Sequence, residues 1–179
     1  MRAVIIYESM FGNTHQVAQA IADGLAPGNI ITVVAVTEAD QGLLAGADLV
    51  VVGGPTHAHG MSRTSTRRMA AEQAHKEGSQ VLLDPGAPTP GPGLRDWFAS
   101  LGHLTTHAAA FDTRFDGLAA FTGRASKGIA RLLGEHGLSL LVPPESFLIG
   151  KDNQLRPGEQ ERAREWGKSL ADAIVPAGQ

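Results

Sequence analysis

Residues 2–25 read RAVIIYESMFGNTHQVAQAIADGL, and the change of period inside this stretch sets the fold class. RAVIIY (2–7) is a continuous β-rich apolar run, suited to a strand buried on both faces. Beyond it the period becomes helical: Val17, Ile21 and Leu25 recur every four residues on one face, and Pro27-Gly28 ends the helix. Between the two lie Ser9, Gly12, Asn13 and Thr14. Short hydroxyl and amide side chains at a helix start either cap the helix's own unpaired amides or leave those amides to an anion. Capping alone, with Ser9 or Asn13 as N-cap, needs neither Gly12 nor so many donors, so the anion is the stronger reading. The stretch has no lysine of the G-x-x-x-x-G-K-[ST] kind and no G-x-G-x-x-G, which argues against a nucleoside triphosphate and against a dinucleotide pyrophosphate. A nest of backbone N–H groups without a cation suits a single phosphate monoester.

The strand–helix alternation continues outward from this stretch. IITVVAV (30–36) and DLVVVGG (48–54) read as second and third buried strands, HAAAF (107–111) as a fourth, and LSLLV (138–142) as a fifth that SFLIG (146–150) would resume. Helices are expected over 62–77, with Met69, Ala70 and Ala74 as its few apolar positions, and around Trp97, Phe98 and Leu101. Two more follow, over 125–136 with Ile129, Leu132 and Leu133 inward, and over about 158–174 with Trp166, Leu170 and Ile174 inward. DPGAPTPGPG (84–93) holds too much Pro and Gly for a regular element. With no internal repeat and no dividing linker, the 179 residues form one domain, 1–179, able to bury roughly two-thirds of its unfolded surface. Alternating strands and helices imply parallel strands, right-handed crossovers and helices on both faces. Ligands then sit beyond the carboxyl ends of the strands, where ESMFGNT (8–14), GGPTHAHGMS (53–62) and DTRFDGLAAFTGR (112–124) come together.

Composition removes several chemistries. The chain has no cysteine, so disulfides, thiolate metal sites, Cys-ligated clusters and cysteine nucleophiles are excluded. Electron transfer would need an organic cofactor. His57-x-His59 has no nearby Asp or Glu to complete a metal shell, and no metal is expected. A net charge of −3, without a basic stripe carrying aromatics, points away from nucleic acid. No apolar run is long enough to cross a bilayer and no secretory signal precedes the first strand, so a cytoplasmic protein is expected.

SMFGNT after an N-terminal strand resembles the phosphate loop of the flavodoxin-like superfamily, which holds the phosphate of flavin mononucleotide (FMN). Its Ser-Met-aromatic-Gly form is similar to the flavodoxin domain of flavo-diiron proteins and to tryptophan-repressor-binding-protein-like quinone reductases. GGPTHAHG resembles the second flavin loop of the superfamily. The resemblance implies a single-domain flavodoxin-like α/β three-layer sandwich with a five-stranded parallel sheet of order 2-1-3-4-5. It assigns phosphate binding to Ser9, Met10, Phe11, Gly12, Asn13 and Thr14. It places Pro55, Thr56, His57, Ala58, His59 and Gly60 on one side of the isoalloxazine, and Asp112, Thr113, Arg114 and Phe115 on the other. No catalytic residue is assigned.

Some residues depart from the carrier pattern. Phe11 stands where electron-carrier flavodoxins usually have Thr. No Trp–Tyr sandwich is available, because Tyr7 lies inside strand one and neither Trp97 nor Trp166, both read as core, falls in a matching loop. Stacking therefore falls to His57, His59 or Phe115. The site loops and flanks carry Arg63, Arg67, Arg68, Arg114, Arg124 and Lys127 against Glu8, Asp112 and Asp116, the reverse of an acidic carrier. A phosphoacceptor receiver shares the fold, but it would need an acidic pair after strand one and an Asp after strand three, and the chain offers only Glu8 and GGPT. Two readings stay open. One is an FMN redox protein, either a carrier for a redox partner protein or an NAD(P)H-linked reductase of a quinone-like acceptor. The other is a flavodoxin-fold module without flavin that binds another phosphate-bearing ligand or a protein partner.

Overall fold

The structure is a computed structural model that describes residues 1–57, 60–79, 81–117 and 123–174. Its first strand, β1 (Arg2–Tyr7), runs into helix α1 (Asn13–Leu25), as the change of period predicts. Strands β2 (Ile30–Ala35) and β3 (Leu49–His57) flank β1 in parallel, with Ile5 opposite Val33 on one side and Val51 on the other. The short β4 (Gly60–Met61) pairs back antiparallel on β3, and helix α2 (Thr64–Ala74) and helix α3 (Leu94–Ser100) follow. Strand β5 (His107–Phe115) lies parallel to β3 and leads to helix α4 (Ala125–Glu135). On the outer side of β5 run two short parallel strands, β6 (Ser139–Leu140) and β7 (Glu145–Ile149), before the last helix, α5 (Glu159–Ala173). The sheet order is therefore the expected 2-1-3-4-5 pattern, with its fifth position shared by β6 and β7.

Side-chain alternation along the strands builds two cores. Ala3, Ile5, Leu49, Val51 and Phe111 face α1 and α5, meeting Val17, Ile21, Leu25 and Leu170. Val4, Ile6, Val50, Val52 and Ala110 face α3 and α4, meeting Trp97, Phe98, Ile129 and Leu133. Trp97 and Trp166 both belong to these cores, as their helical spacing predicts.

Four expectations change. The fourth strand runs on from Phe111 to Phe115, because Asp112 and Thr113 bury their polar side chains against partners instead of leaving for solvent. The third strand continues to His57, where a loop was expected from Pro55 on. The fifth strand breaks at 141–144: β5 advances from Ala108 to Phe111 while its partner advances from Leu140 to Glu145, and Pro143 and Pro144 in that bulge have no N–H for the ladder. In α2, Met69 is 67% exposed while Arg67 is 2% exposed. The inward stripe of α2 is Arg67 and Ala70, three residues apart, and Met69 lies off it.

Candidate functional site

The end of β1 carries the chain into the sheet's carboxyl edge at Glu8, Ser9 and Met10, all buried. Gly12 is the N-cap of α1 at φ 89°, a left-handed conformation that a residue with a Cβ adopts only with strain. The loop's polar side chains are engaged within the protein. Ser9 Oγ accepts the Gly12 N–H at 3.0 Å, Asn13 Nδ2 donates to the Asn153 carbonyl at 2.9 Å, and Thr14 Oγ1 lies 2.7 Å from Thr113 Oγ1. Among the described residues, none accepts from the backbone N–H groups of Met10, Phe11, Asn13 or Thr14. These amides lie at the positive end of α1, whose first turn holds no acidic residue. That donor set fits one phosphate.

Two residues beside this loop escape sequence reasoning. Asp84, buried, donates its N–H to the Met10 carbonyl at 2.8 Å, and its Oδ2 meets His15 Nδ1 at 3.0 Å. A Cβ on Gly12 would stand 3.8 Å from that same Oδ2. His15 in turn stacks on Tyr7, with ring centroids 4.5 Å apart and planes 14° from parallel. Burial, then the Asp84 and Glu38 charges, push the Tyr7 hydroxyl up to about 12. The chain's one tyrosine is thus packed on His15. Asp84, Asn153 and Thr113 lie 69 to 140 residues from their loop partners, and no local pattern announces such contacts.

The second loop is the β3–β4 pairing, with Thr56 opposite Met61 and His57 opposite Gly60. Ala58 and His59 lie outside the described residues. Pro55 and Thr56 are half-buried, and Thr56 Oγ1 accepts the Ala125 N–H at 2.9 Å, which fixes the start of α4. His57 Nε2 is buried with no partner among the described residues. Burial holds its imidazole below the ordinary value, with Glu8 opposing the shift and Arg67 adding to it. Those two charges belong to a buried network: Glu8 accepts from Ser62 Oγ and from the Leu94 N–H (2.8 Å), while Arg67 donates to Ser62 Oγ (3.3 Å) and Asp96 (3.2 Å). This network ties α2 and α3 to the end of β1.

In the third loop Asp112 is fully buried and its Oδ2 accepts the Ser126 N–H at 2.7 Å, so it acts as a second cap on α4. Burial raises its carboxyl above the ordinary 3.8, with the Ser126 N–H bond opposing the shift. Thr113 points to Thr14. Arg114 turns back to the carbonyls of Phe115 (3.3 Å) and Gly117 (2.8 Å). Phe115, 53% exposed, ends β5 as an apolar ring open to a flat ligand. Loops one and three therefore meet at the two threonines, and loops two and three meet at the start of α4. Thr56, Thr113 and Asp112 Oδ2 are engaged with the scaffold. The amides of Met10, Phe11, Asn13 and Thr14, Asp112 Oδ1 and His57 Nε2 have no partner among the described residues, and Phe115 is exposed.

Residues 5–85 match the flavodoxin family. No curated protein matches the chain. Among solved structures, oxidised Flavodoxin 1 from Bacillus cereus aligns with a TM-score of 0.66 at 18% identity, covering 98% of this chain and 100% of that one. The flavodoxin, WrbA-like protein from Agrobacterium tumefaciens aligns at 0.58 and 21% identity, covering 96% and 95%. Rubredoxin oxygen:oxidoreductase from Desulfovibrio gigas aligns at 0.58 and 16%, covering 96% of this chain but 35% of that protein. At these identities the likeness is one of fold. With three loops gathered at the carboxyl edge of a 2-1-3-4-5 parallel sheet, the chain has a flavodoxin-like fold.

Proposed function

We propose that this protein binds FMN across the carboxyl edge of the sheet and works as a redox protein, passing electrons to a partner protein or to a quinone-like acceptor. The observation that carries this reading is the set of amides of Met10, Phe11, Asn13 and Thr14, left without a protein acceptor around a left-handed Gly12 at the start of α1. Bound FMN would supply one- or two-electron chemistry at its isoalloxazine. The chain's own contribution is positional. The amides and Gly12 hold the phosphate, the Thr14–Thr113 bond fixes the distance between the first and third loops, and Pro55 to Gly60 and Thr113 to Phe115 flank the ring. His57, kept neutral by burial, puts no charge on that edge. The test is the visible spectrum of the purified protein, with FMN and with riboflavin titrated into flavin-free protein. Yellow protein that prefers FMN supports the reading, and equal affinity for riboflavin removes the phosphate assignment.

A second reading, a flavin-free module binding another phosphate-bearing ligand or a protein partner, draws on the missing ring-stacking pair: Tyr7 is packed on His15, and Trp97 and Trp166 belong to the cores. Colourless protein that ignores FMN yet binds inorganic phosphate would favour it.

A further inference from the structure

Around the β3–β4 pairing stand four basic side chains from three different parts of the chain. Arg63 follows Met61 by two residues. Arg95, on α3, donates through Nε to the Ser62 carbonyl (3.1 Å) and through Nη2 to the Met61 carbonyl (3.4 Å). Arg124 and Lys127 open α4, whose Ala125 N–H is held by Thr56 and whose Gly128 lies against Met61. Arg63, Arg95 and Lys127 are exposed and Arg124 is half-buried. None of the four takes part in an ion pair among the described residues, and the residues outside the description carry no Asp or Glu side chain. Elsewhere Arg131, Arg156, Arg162, Arg164 and Lys168 each meet a carboxylate, while Arg2, Lys76 and Lys151 are scattered singly and do not, among the described residues.

The carboxylates under this rim do not cancel it. Asp96 is taken by Arg67 (3.2 Å) and the Gly93 N–H (2.9 Å), and Glu8 and Asp112 are buried beneath the surface. A chain of net charge −3 therefore carries a positive rim at the edge where its redox site is proposed. Charges spread over three parts of the chain, with Arg63, Arg95 and Lys127 exposed, suit spaced carboxylates on a wide face. A single phosphate would need donors converging on one point.

We propose that this rim is a docking surface for an acidic protein partner in electron transfer, a polarity opposite to that of an acidic carrier. The proposal rests on the reading that the β3–β4 pairing flanks the flavin ring. Attraction between unpaired surface charges steers encounter and fades as salt shortens the Debye length from roughly 20 Å to below 10 Å between about 20 mM and about 300 mM.

The test uses a plant-type [2Fe–2S] ferredoxin as the acidic probe, cytochrome c as the basic one, and a double variant, Arg63→Gln with Lys127→Gln. Lys168→Gln, on α5, serves as the charge control. Chemical-shift mapping on flavin-free protein reads the surface even where flavin fails to bind, so failure of the FMN reading and failure of the docking reading are distinguishable. Ferredoxin should shift resonances of residues 60–63, 95 and 124–128, with affinity falling at least tenfold across that salt range. The double variant should lose at least threefold at low salt and nothing at high salt, and the control should lose nothing. With loaded protein, electron transfer from reduced ferredoxin should slow with salt, while transfer to cytochrome c should quicken. Salt-independent binding, shifts scattered away from the rim, or an unaffected double variant overturns the proposal. So does NADPH shifting the same resonances when ferredoxin does not, which would make the rim a dinucleotide site.

Discussion

Thr14 and Thr113, 99 residues apart, share one buried hydrogen bond of 2.7 Å, and that bond joins two of the three loops. Thr14→Val leaves Thr113 Oγ1 without a partner and should cost about 1–3 kcal/mol in urea unfolding, whereas Thr14→Val with Thr113→Val removes both polar groups and should cost much less. If Thr14 also serves the phosphate, FMN affinity stays low in the double variant although stability returns. Recovery of both together would make Thr14 a scaffold residue only. Asp112 gives a second prediction, from its burial. Its folded carboxyl holds a proton more tightly than the unfolded one, so its contribution to stability is present below the ordinary 3.8 and is lost as pH rises through the raised folded value. Asp112→Asn keeps an oxygen for the Ser126 N–H and removes that loss, so the stability of the variant relative to wild type should grow as pH rises above about 4. A difference that stays constant with pH would mean that the carboxyl is not perturbed. His57 runs the other way, its stabilising contribution being lost as pH falls below its ordinary 6.5, and the variant-minus-wild-type difference cancels it. The first loop stood out in the sequence, because small polar residues and glycine at a strand–helix junction have few uses. What the sequence did not announce is that Asp112 and Thr56, expected as ligand contacts, also hold α4, since a cap supplied from a distant strand leaves no spacing to detect.

Helices α1 and α5 pack backbone to backbone. A Cβ at Gly24 would lie 2.0 Å from the Arg164 carbonyl oxygen, and one at Gly167 would lie 2.3 Å from that of Ile21. Gly167→Ala gains up to about 1 kcal/mol of helix propensity, but the overlap forces the helices apart at a cost of about 1–3 kcal/mol. The expected outcome is net destabilisation, measured by urea or thermal unfolding, and a more stable variant would mean that the helices slide apart freely. Periodicity revealed α1, α4 and α5 because each has one apolar stripe, and Val17, Ile21 and Leu25 are all fully buried. It misled in α2, where a buried guanidinium takes the core-facing place because Asp96 and Ser62 are there to receive it. It also placed the end of β5 too early. Asp112 and Thr113 look like loop residues until the caps and the facing threonine that satisfy them are known.

At the scale of the whole molecule, order 2-1-3-4-5 brings the ends of β1, β3 and β5 side by side, so residues 8–14, 55–57 and 112–115 become one edge although up to about a hundred residues separate them. This much was legible, since alternating buried strands and helices admit few arrangements. The segment between α2 and α3 was not. It has too little apolar patterning to announce that Asp84 docks on Met10 and His15, a contact that puts a carboxylate next to the unpartnered amides of the first loop. That carboxylate makes the preference for phosphate a sharp test of the assembled edge. A ligand that binds only the folded chain stabilises it by RT ln(1 + [L]/Kd), about 2.7 kcal/mol at a hundredfold excess over Kd. For a chain of this size each kcal/mol moves Tm by about 2–4 °C, so saturating FMN should raise Tm by roughly 5–10 °C. Riboflavin at the same concentration lacks the group that the Met10, Phe11, Asn13 and Thr14 amides would hold, and should raise it by clearly less. Gly12→Ala, strained at φ 89° by about 1–2 kcal/mol, should start from a lower Tm and lose most of the FMN increment as well. An FMN increment equal to that of riboflavin, or one untouched by Gly12→Ala, would show that the phosphate does not reach the start of α1.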